Sequence, residues 1–299
     1  MTLKLEYIVK KEFDGKKLGE FLLSENFSRK AIIKLKHSGG KIIINDKLSL
    51  VRTIVNLGDK VIIEFPPEEI SPTLIPYQLT LDIIYEDEYL LVINKAAGIP
   101  VIPTGTHQIS LANGILHYYK TINIKSTIHF VNRLDRETSG LLIIAKYRHI
   151  HHLMTHNIEN IIRKYIALVE NKLVGNGTIE MPIFRPDVSS IKRTVNEKGQ
   201  YAKTDFHVIE NKKVLDKEYS LVECALYTGR THQIRVHLSS INHPIVKDKI
   251  YNEKNENDCS DLDYHLLHSY FLEFNHPITN RVLTFKTDLP DRFEFRGST

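Results

Sequence analysis

The sequence predicts an α+β protein in two parts: a small unit of two helices and a short sheet, then a larger domain on a largely antiparallel or mixed sheet. Three observations predict it. Short β-prone runs recur from Leu79 onward, among them LDIIYED, YLLVINK, TIHFV, LLIIAK, KYIALVE, AKTDFHVIE, SLVECALY, PIVKD and VLTFKTD. Helical periodicity is sparse over the same stretch, and many strands with few helices at one side is the α+β pattern. Between the two parts stands PPEEISPTLIP, proline-rich and without periodicity, which reads as a linker over residues 66–78.

In chain order, the opening MTLKLEYIVK alternates like a strand. GKKLGEFLLSE reads as a short amphipathic helix and SRKAIIKLKHSGG as a second, with Ser28 as its N-cap and the Gly39-Gly40 pair as its stop. Strand KIIIN, turn residues Asp46 and Lys47, and a closing strand KVIIEF complete a unit over residues 1–65. In the larger domain, residues 79–299, the helical patterns are SLANGILHYYK, a run from Tyr147 to about Ile162, and HQIRVHLSSI. The linker composition predicts few contacts between the two parts.

The chain has 299 residues, 42% hydrophobic and 25% charged, an ordinary globular composition. It holds no 20 to 50 residue repeat and no apolar run near the roughly 18 residues that a membrane span needs. The first residues lack an apolar signal core, and Cys224 and Cys259 have no partners at metal-ligand spacing. A soluble cytoplasmic protein is expected, with no membrane association, disulfide framework or zinc site. His152 and His156 stand at helical i, i+4 spacing, but Leu153 follows His152 where a zinc peptidase needs Glu. Charge is uneven: of a net +4, residues 1–65 hold 13 Lys and Arg against 8 Asp and Glu. Residues 28–41 carry Arg29, Lys30, Lys34, Lys36 and Lys41 with no acid, the footprint of a phosphate-binding face. A solvated helix face is the alternative reading.

Residues 131–140, VNRLDRETSG, place Arg133, Asp135, Arg136 and Glu137 between β-prone STIHFV and apolar LLIIAK. A charged loop between strands is a common seat of catalytic groups, and Thr138-Ser139-Gly140 can close the turn through side-chain to backbone bonds. Two further islands stand out. In RKYIALV, Arg163, Lys164 and Tyr165 enter a strand; in YTGRTHQIRVHLSSINHPIVKD, Gly229 makes a turn before a helical pattern carrying Arg230, His232, Gln233, Arg235 and His237. By spacing alone, a carboxylate, a tyrosine and an arginine are equally an ion-pair network around a packed aromatic.

In order and wording, the three islands resemble the RluA-type pseudouridine synthases. That family's H-R-L-D-x-x-T-S-G matches residues 132–140, its K-x-Y-x-A-L-V neighbourhood appears as R-K-Y-I-A-L-V over residues 163–169, and T-G-R-T-H-Q-I-R-V-H-L is unchanged over residues 228–238, with H-P-I-x-x-D following at His243 to Asp248. IIYEDEYLLVINKAAGIPVIP and LLHSYFLEFNHP match as well. The departures are Asn132 for the usual His, Ala96 for a Pro, Ile102 for a His and Asn242 for a Gly. The front unit looks like the small RNA-binding domain named after a small-subunit ribosomal protein, with Gly19 where an acidic residue is usual.

The resemblance implies isomerisation of a uridine within RNA, the base leaving its ribose and rejoining through carbon five, with no cofactor and no metal. The nucleotide must leave its stack, at a cost of a few kcal/mol. Asp135 is implied as the ionised carboxylate, acting as nucleophile at the anomeric carbon or as base at the neighbouring ribose position. Tyr165 offers a ring for stacking and a hydroxyl to orient a proton, and Arg235 the counter-charge that keeps Asp135 ionised. RNA contacts are expected from Arg29, Lys30, Lys34 and Lys36 at the front and from Arg133, Arg136 and Arg230 in the second part. Of these, Arg136 is expected to fill the gap left by the extracted base and Arg230 to hold phosphate. Lys95 reads as a turn or RNA contact, and His232, His237 and His243 as structural hydrogen-bonders. Ribosomal RNA is the expected partner in preference to transfer RNA, and the expected state is a monomer. Given Asn132 and Ala96, a catalytically inactive RNA-binding or ribosome-assembly protein on the same fold is the alternative.

Overall fold

The computed structural model describes residues 1–105, 107–214, 216–252 and 263–294; Cys259 lies outside them. In the front part, strands Lys4–Ile8, Lys60–Glu64, Lys41–Ile44 and Lys47–Leu48 form an antiparallel sheet in that spatial order. Helices Leu18–Ser24 and Arg29–His37 bury Leu18, Phe21, Leu22 and Leu35. The Ser28 hydroxyl oxygen accepts the Ala31 amide at 3.1 Å, which satisfies one of the helix's free N–H groups. The cations of the second helix do not form one stripe. Lys30 and Lys34 line a cavity of about 280 Å³ at the junction with the larger domain, together with Phe65, Tyr147 and His149. Arg29 and Lys36 instead border a groove with Ile33, Leu50 and Arg52. One residue rotates a helix by roughly 100°, so Arg29 and Lys30 leave it in different directions.

The larger domain is built on a ten-stranded mixed sheet. Its spatial order is Asn176–Glu180, Lys203–Val214, Lys217–Leu226, Ile162–Glu170, Leu267–Asn275, Ser139–Ala145, Leu90–Lys95 and Ile83–Glu86, with Val282–Lys286 and His129–Phe130 paired at its middle. Neighbours are antiparallel except Ser139–Ala145 and Leu267–Asn275, which run parallel. At that crossing Gly140 has φ +110°, and a Cβ there would stand 2.2 Å from the Ser269 carbonyl oxygen. Only glycine fits. Strand Ser139–Ala145 is buried on both faces, as a continuous apolar run requires.

Helices Leu111–Thr121 and Gln233–Ser240 follow the expected patterns. The run from Tyr147 is shorter than its pattern: the α-helix covers Arg148–His156, Asn157 leaves helical geometry, and Ile162 already starts a strand. PIVKD is not a strand. Apart from one bridge between Val169 and Ile245 it is a turn, with Lys247 at φ 62° and the Asp248 carboxylate accepting the amides of Ile250 and Tyr251. A side-chain acceptor that competes for backbone donors favours turns over strands.

The proline-rich segment is pinned along the larger domain. Glu68 sits 2.6 Å from His129 Nε2 and accepts the Arg148 amide at 2.7 Å. The Asn113 side chain donates to the Ile75 carbonyl at 2.7 Å, and the Tyr77 amide donates to the Asn113 carbonyl at 3.1 Å. The two parts also share apolar contact, where Phe27 and Phe65 approach the His149 ring at centroid distances of 4.3 and 5.2 Å. Contact across the boundary is therefore more extensive than the linker composition predicts. Proline content reports the absence of regular structure, and not what the carbonyls and carboxylates of a segment bond. Among the described residues, no helix is long and apolar enough to cross a membrane.

Candidate active site

The charged turn lies between strands His129–Phe130 and Ser139–Ala145, and it is tied down on every side. The side-chain oxygen Oδ1 of buried Asn132 accepts the Ile143 amide at 2.8 Å. The Arg136 carbonyl accepts from the Gly98 amide at 2.9 Å and the Lys95 ammonium at 3.0 Å. Thr138 Oγ1 sits 2.8 Å from His265 Nε2, and Ser139 Oγ 2.7 Å from His268 Nδ1. Such a frame holds Asp135, a quarter exposed, at a fixed place in the mouth of a cleft.

That cleft, about 50 Å³, is lined by Arg133, Asp135, Tyr165, Arg230, His232 and Arg235, among others. The three residues expected to carry chemistry come together in it from separate parts of the chain. Arg235 Nη1 donates to Asp135 Oδ2 at 2.8 Å, while its Nε and Nη2 make a fork to Asp248 at 2.7 and 2.8 Å. Tyr165 enters on strand Ile162–Glu170, buried, with Cys224 and Ser269 as its neighbours across the sheet. Burial chiefly raises its hydroxyl pKa, so the ring is a neutral phenol.

Burial alone would raise the Asp135 carboxyl; His232 and Arg235 outweigh it and hold the group below the usual carboxylate range. Arg235 is the permanent charge of the two, because burial pulls His232 itself down. Burial likewise acts against the Arg235 guanidinium, and Asp248 and Asp135 push it back above its ordinary value. The cleft thus keeps an ionised carboxylate half-dry without letting it protonate.

Sequence reasoning missed Asp248, which is fully buried and fixes two of the three Arg235 nitrogens. Its signal was the closing aspartate of H-P-I-x-x-D at His243 to Asp248, to which no role was attached. His232, read as a structural hydrogen-bonder, has its Nδ1 2.9 Å from the Tyr251 hydroxyl and its Nε2 3.8 Å from Asp135. It takes a left-handed conformation, φ 58°, ahead of helix Gln233–Ser240. Of the two readings of Lys95, turn or RNA contact, the structure shows the turn contact: it is 2% exposed and gives its protons to the carbonyls of Ala96, Ile99 and Arg136. Burial pulls it down to about 7, against the attraction of Asp135.

The expected RNA-contacting residues are dispersed. Arg133 is exposed at the cleft without a partner among the described residues, whereas Arg136 is engaged by Glu137 at 2.8 Å and His107 at 2.7 Å. Arg230 lines the cleft and bonds the Tyr201 carbonyl at 2.9 Å. Arg29, Lys30, Lys34 and Lys36 lie on the front helix, outside the residues that line this cleft. Among the described residues, no group of three or more His, Cys, Asp or Glu could hold a metal ion.

The family model for RNA pseudouridylate synthases matches residues 89–240, which contain Asp135, Tyr165 and Arg235. An uncharacterized RNA pseudouridine synthase of Bacillus subtilis, YjbO, is 38% identical over 88% of this chain and 92% of its own length. The chain belongs to the RNA pseudouridylate synthase family. Ribosomal large subunit pseudouridine synthase D of Neisseria meningitidis serogroup B is 32% identical to the synthase over 84% of this chain and 70% of that protein. In fold, human RNA pseudouridylate synthase domain containing 1 superposes with a TM-score of 0.58 at 23% identity, covering 71% of this chain and 84% of that one.

Proposed function

We propose that the synthase converts uridines of large-subunit ribosomal RNA to pseudouridine, with Asp135, Tyr165 and Arg235 as its working groups. The observation that carries this reading is the Asp135–Arg235–Asp248 network, because it maintains one ionised, solvent-reachable carboxylate beside an apolar ring. A purely structural ion pair has no need to leave its carboxylate open to a cleft. Asp135 acts on the ribose of a nucleotide turned out of its stack, and the uracil lies against the ring of Tyr165, whose hydroxyl orients a proton. Arg133, exposed and without a partner among the described residues, is better placed than Arg136 to occupy the gap left by the extracted base. Arg230 contributes charge at the cleft rim.

Several relatives are named as large-subunit ribosomal enzymes, which supports that substrate over transfer RNA. We propose further that residues 1–65 form a separate RNA-binding unit of the ribosomal-protein type, joined through residues 66–78 to a catalytic domain over 79–299, and that its basic helix adds affinity. The intact network speaks against an inactive RNA-binding protein. Release of tritium from RNA labelled at uridine carbon five tests the reaction, and carbodiimide mapping of ribosomal RNA from cells with and without the gene tests the substrate. No tritium release from ribosomal RNA, and no pseudouridine lost in the deletion strain, would overturn the reading.

A further inference from the structure

Arg163 stands two residues before Tyr165 on strand Ile162–Glu170. Alternate residues of a strand share a face, so its side chain leaves on the same side as the ring that lines the cleft. It is 6% exposed, and its Nε is buried without a hydrogen-bond partner among the described residues. Its Nη1 lies against the turn before Arg230, where a Cβ on Gly229 would approach it to 3.2 Å. Burial pulls the guanidinium below its ordinary range.

A buried cation without a counter-charge is costly to a folded protein. The other cations of this region avoid that cost. Arg235 has two carboxylates, Lys95 has three carbonyls, and Arg136 has Glu137. Arg163 has no carboxylate partner among the described residues, yet it sits beside the ring assigned above to the extracted base. Guanidinium forks bind phosphate oxygens well, and glycine at 229 leaves the backbone side of the approach open.

We infer that Arg163 is the buried half of a phosphate subsite, which receives the backbone phosphate adjoining the uridine that stacks on Tyr165. The inference rests on the reading of Tyr165 as the stacking platform. The phosphate supplies the missing counter-charge, so the subsite is completed only when RNA is bound. Because Arg163 arrives on a rigid central strand, the contact fixes where along the RNA the reacting nucleotide sits, in contrast to the exposed arginines at the rim.

The test uses the full chain, with Arg163→Met to remove charge and Arg163→Lys to keep it, and decauridylate as the RNA. Binding is followed by anisotropy against salt, melting is measured without RNA, and tritium release is measured on ribosomal RNA. For Arg163→Met we expect about tenfold weaker binding at 0.1 M salt and a log-log salt slope smaller by about 0.7, the value for one phosphate on a single strand. Its melting temperature should equal or exceed that of wild type, since an unpaired charge has been removed. Arg163→Lys should restore the slope. A wild-type slope in Arg163→Met, a lowered melting temperature or a failure to fold would each show the charge to be paired in the free protein, and overturn the inference. Wild-type protein that releases no tritium would instead overturn the assigned reaction, and leaves the comparison on decauridylate readable.

Discussion

The cleft around Asp135 and the junction around His149 both bury ionisable groups, and they meet the cost in opposite ways. In the cleft, two carboxylates share one guanidinium, and all three stay charged. At the junction, neither His149 ring nitrogen has a hydrogen-bond partner among the described residues, Phe27 and Phe65 cover the ring, and burial pulls its pKa down to about 4. Charge is kept where it can react and expelled where two parts of the chain must adhere. Pairing compensates desolvation only when geometry is good and lone pairs are filled. The Asp248 fork meets that condition, and nothing around His149 does.

The largest effect is expected at the carboxylate itself. Asp135→Asn should leave less than about 1% of turnover and change RNA binding only a few-fold, because the amide keeps shape and loses charge. Tritium release and filter binding on the same variant check this, and substantial turnover would remove Asp135 from its role.

Arg235→Ala tests whether pairing is what keeps the cleft charged. Without the guanidinium, burial is opposed less and the Asp135 carboxyl rises, so the acid limb of the pH-rate profile should move to higher pH. Arg235→Lys, which keeps charge but not the fork, should shift it less. An acid limb that does not move in the alanine variant would mean that another group sets the Asp135 charge.

At Tyr165 the ring and the hydroxyl are separable. Tyr165→Phe should bind RNA normally and slow the chemical step, whereas Tyr165→Ala should impair both. Equal single-turnover rates and affinities for the two variants would show that the ring is no platform.

The junction should show its opposite strategy as pH sensitivity. A histidine held neutral in the fold takes up its proton first in the unfolded chain, so stability falls as pH drops from about 6.5 toward 4. The loss is about 1.4 kcal/mol per pH unit at most in that window. The charged and titratable groups facing this site are Lys30 and Lys34 from the front helix, Glu68 from the strap, and Arg148, His151 and His152 from its own helix. His149→Phe should flatten the urea-midpoint profile between those pH values, and an unchanged profile would assign the sensitivity to a neighbour.

The smallest effect concerns the split front helix. If its two sides differ in RNA contact, then Lys30→Gln with Lys34→Gln and Arg29→Gln with Lys36→Gln should change the salt slope unequally. A face that fully contacts RNA loses roughly 1.5 units for two phosphates. Equal slopes for the two double variants would mean that RNA wraps both sides or neither.

Much of this architecture was written in local pattern. The Ser28 cap, the helix after Gly229, the buried strand Ser139–Ala145 and the charged turn around Asp135 each rest on neighbours within a few residues, where periodicity, capping and turn chemistry act. The wording of the three islands likewise named Asp135, Tyr165 and Arg235 together. What the sequence could not display is partnership over distance. Asp248, though it closes the matched H-P-I-x-x-D stretch, showed no role because its partner is a helix residue 13 positions away and its own run looked like a strand. Lys95 could be read equally as a turn or an RNA contact, because the three carbonyls that bind it leave no trace in composition. The strap over residues 66–78 and the His149 ring cluster were settled only when two separately patterned segments met. Elements are set by short-range sterics and hydrogen bonding, which a sequence carries residue by residue. Which buried charge is paired, and which is left waiting as at Arg163, depends on the positions of strands brought together by the sheet, and only the tertiary structure decides that.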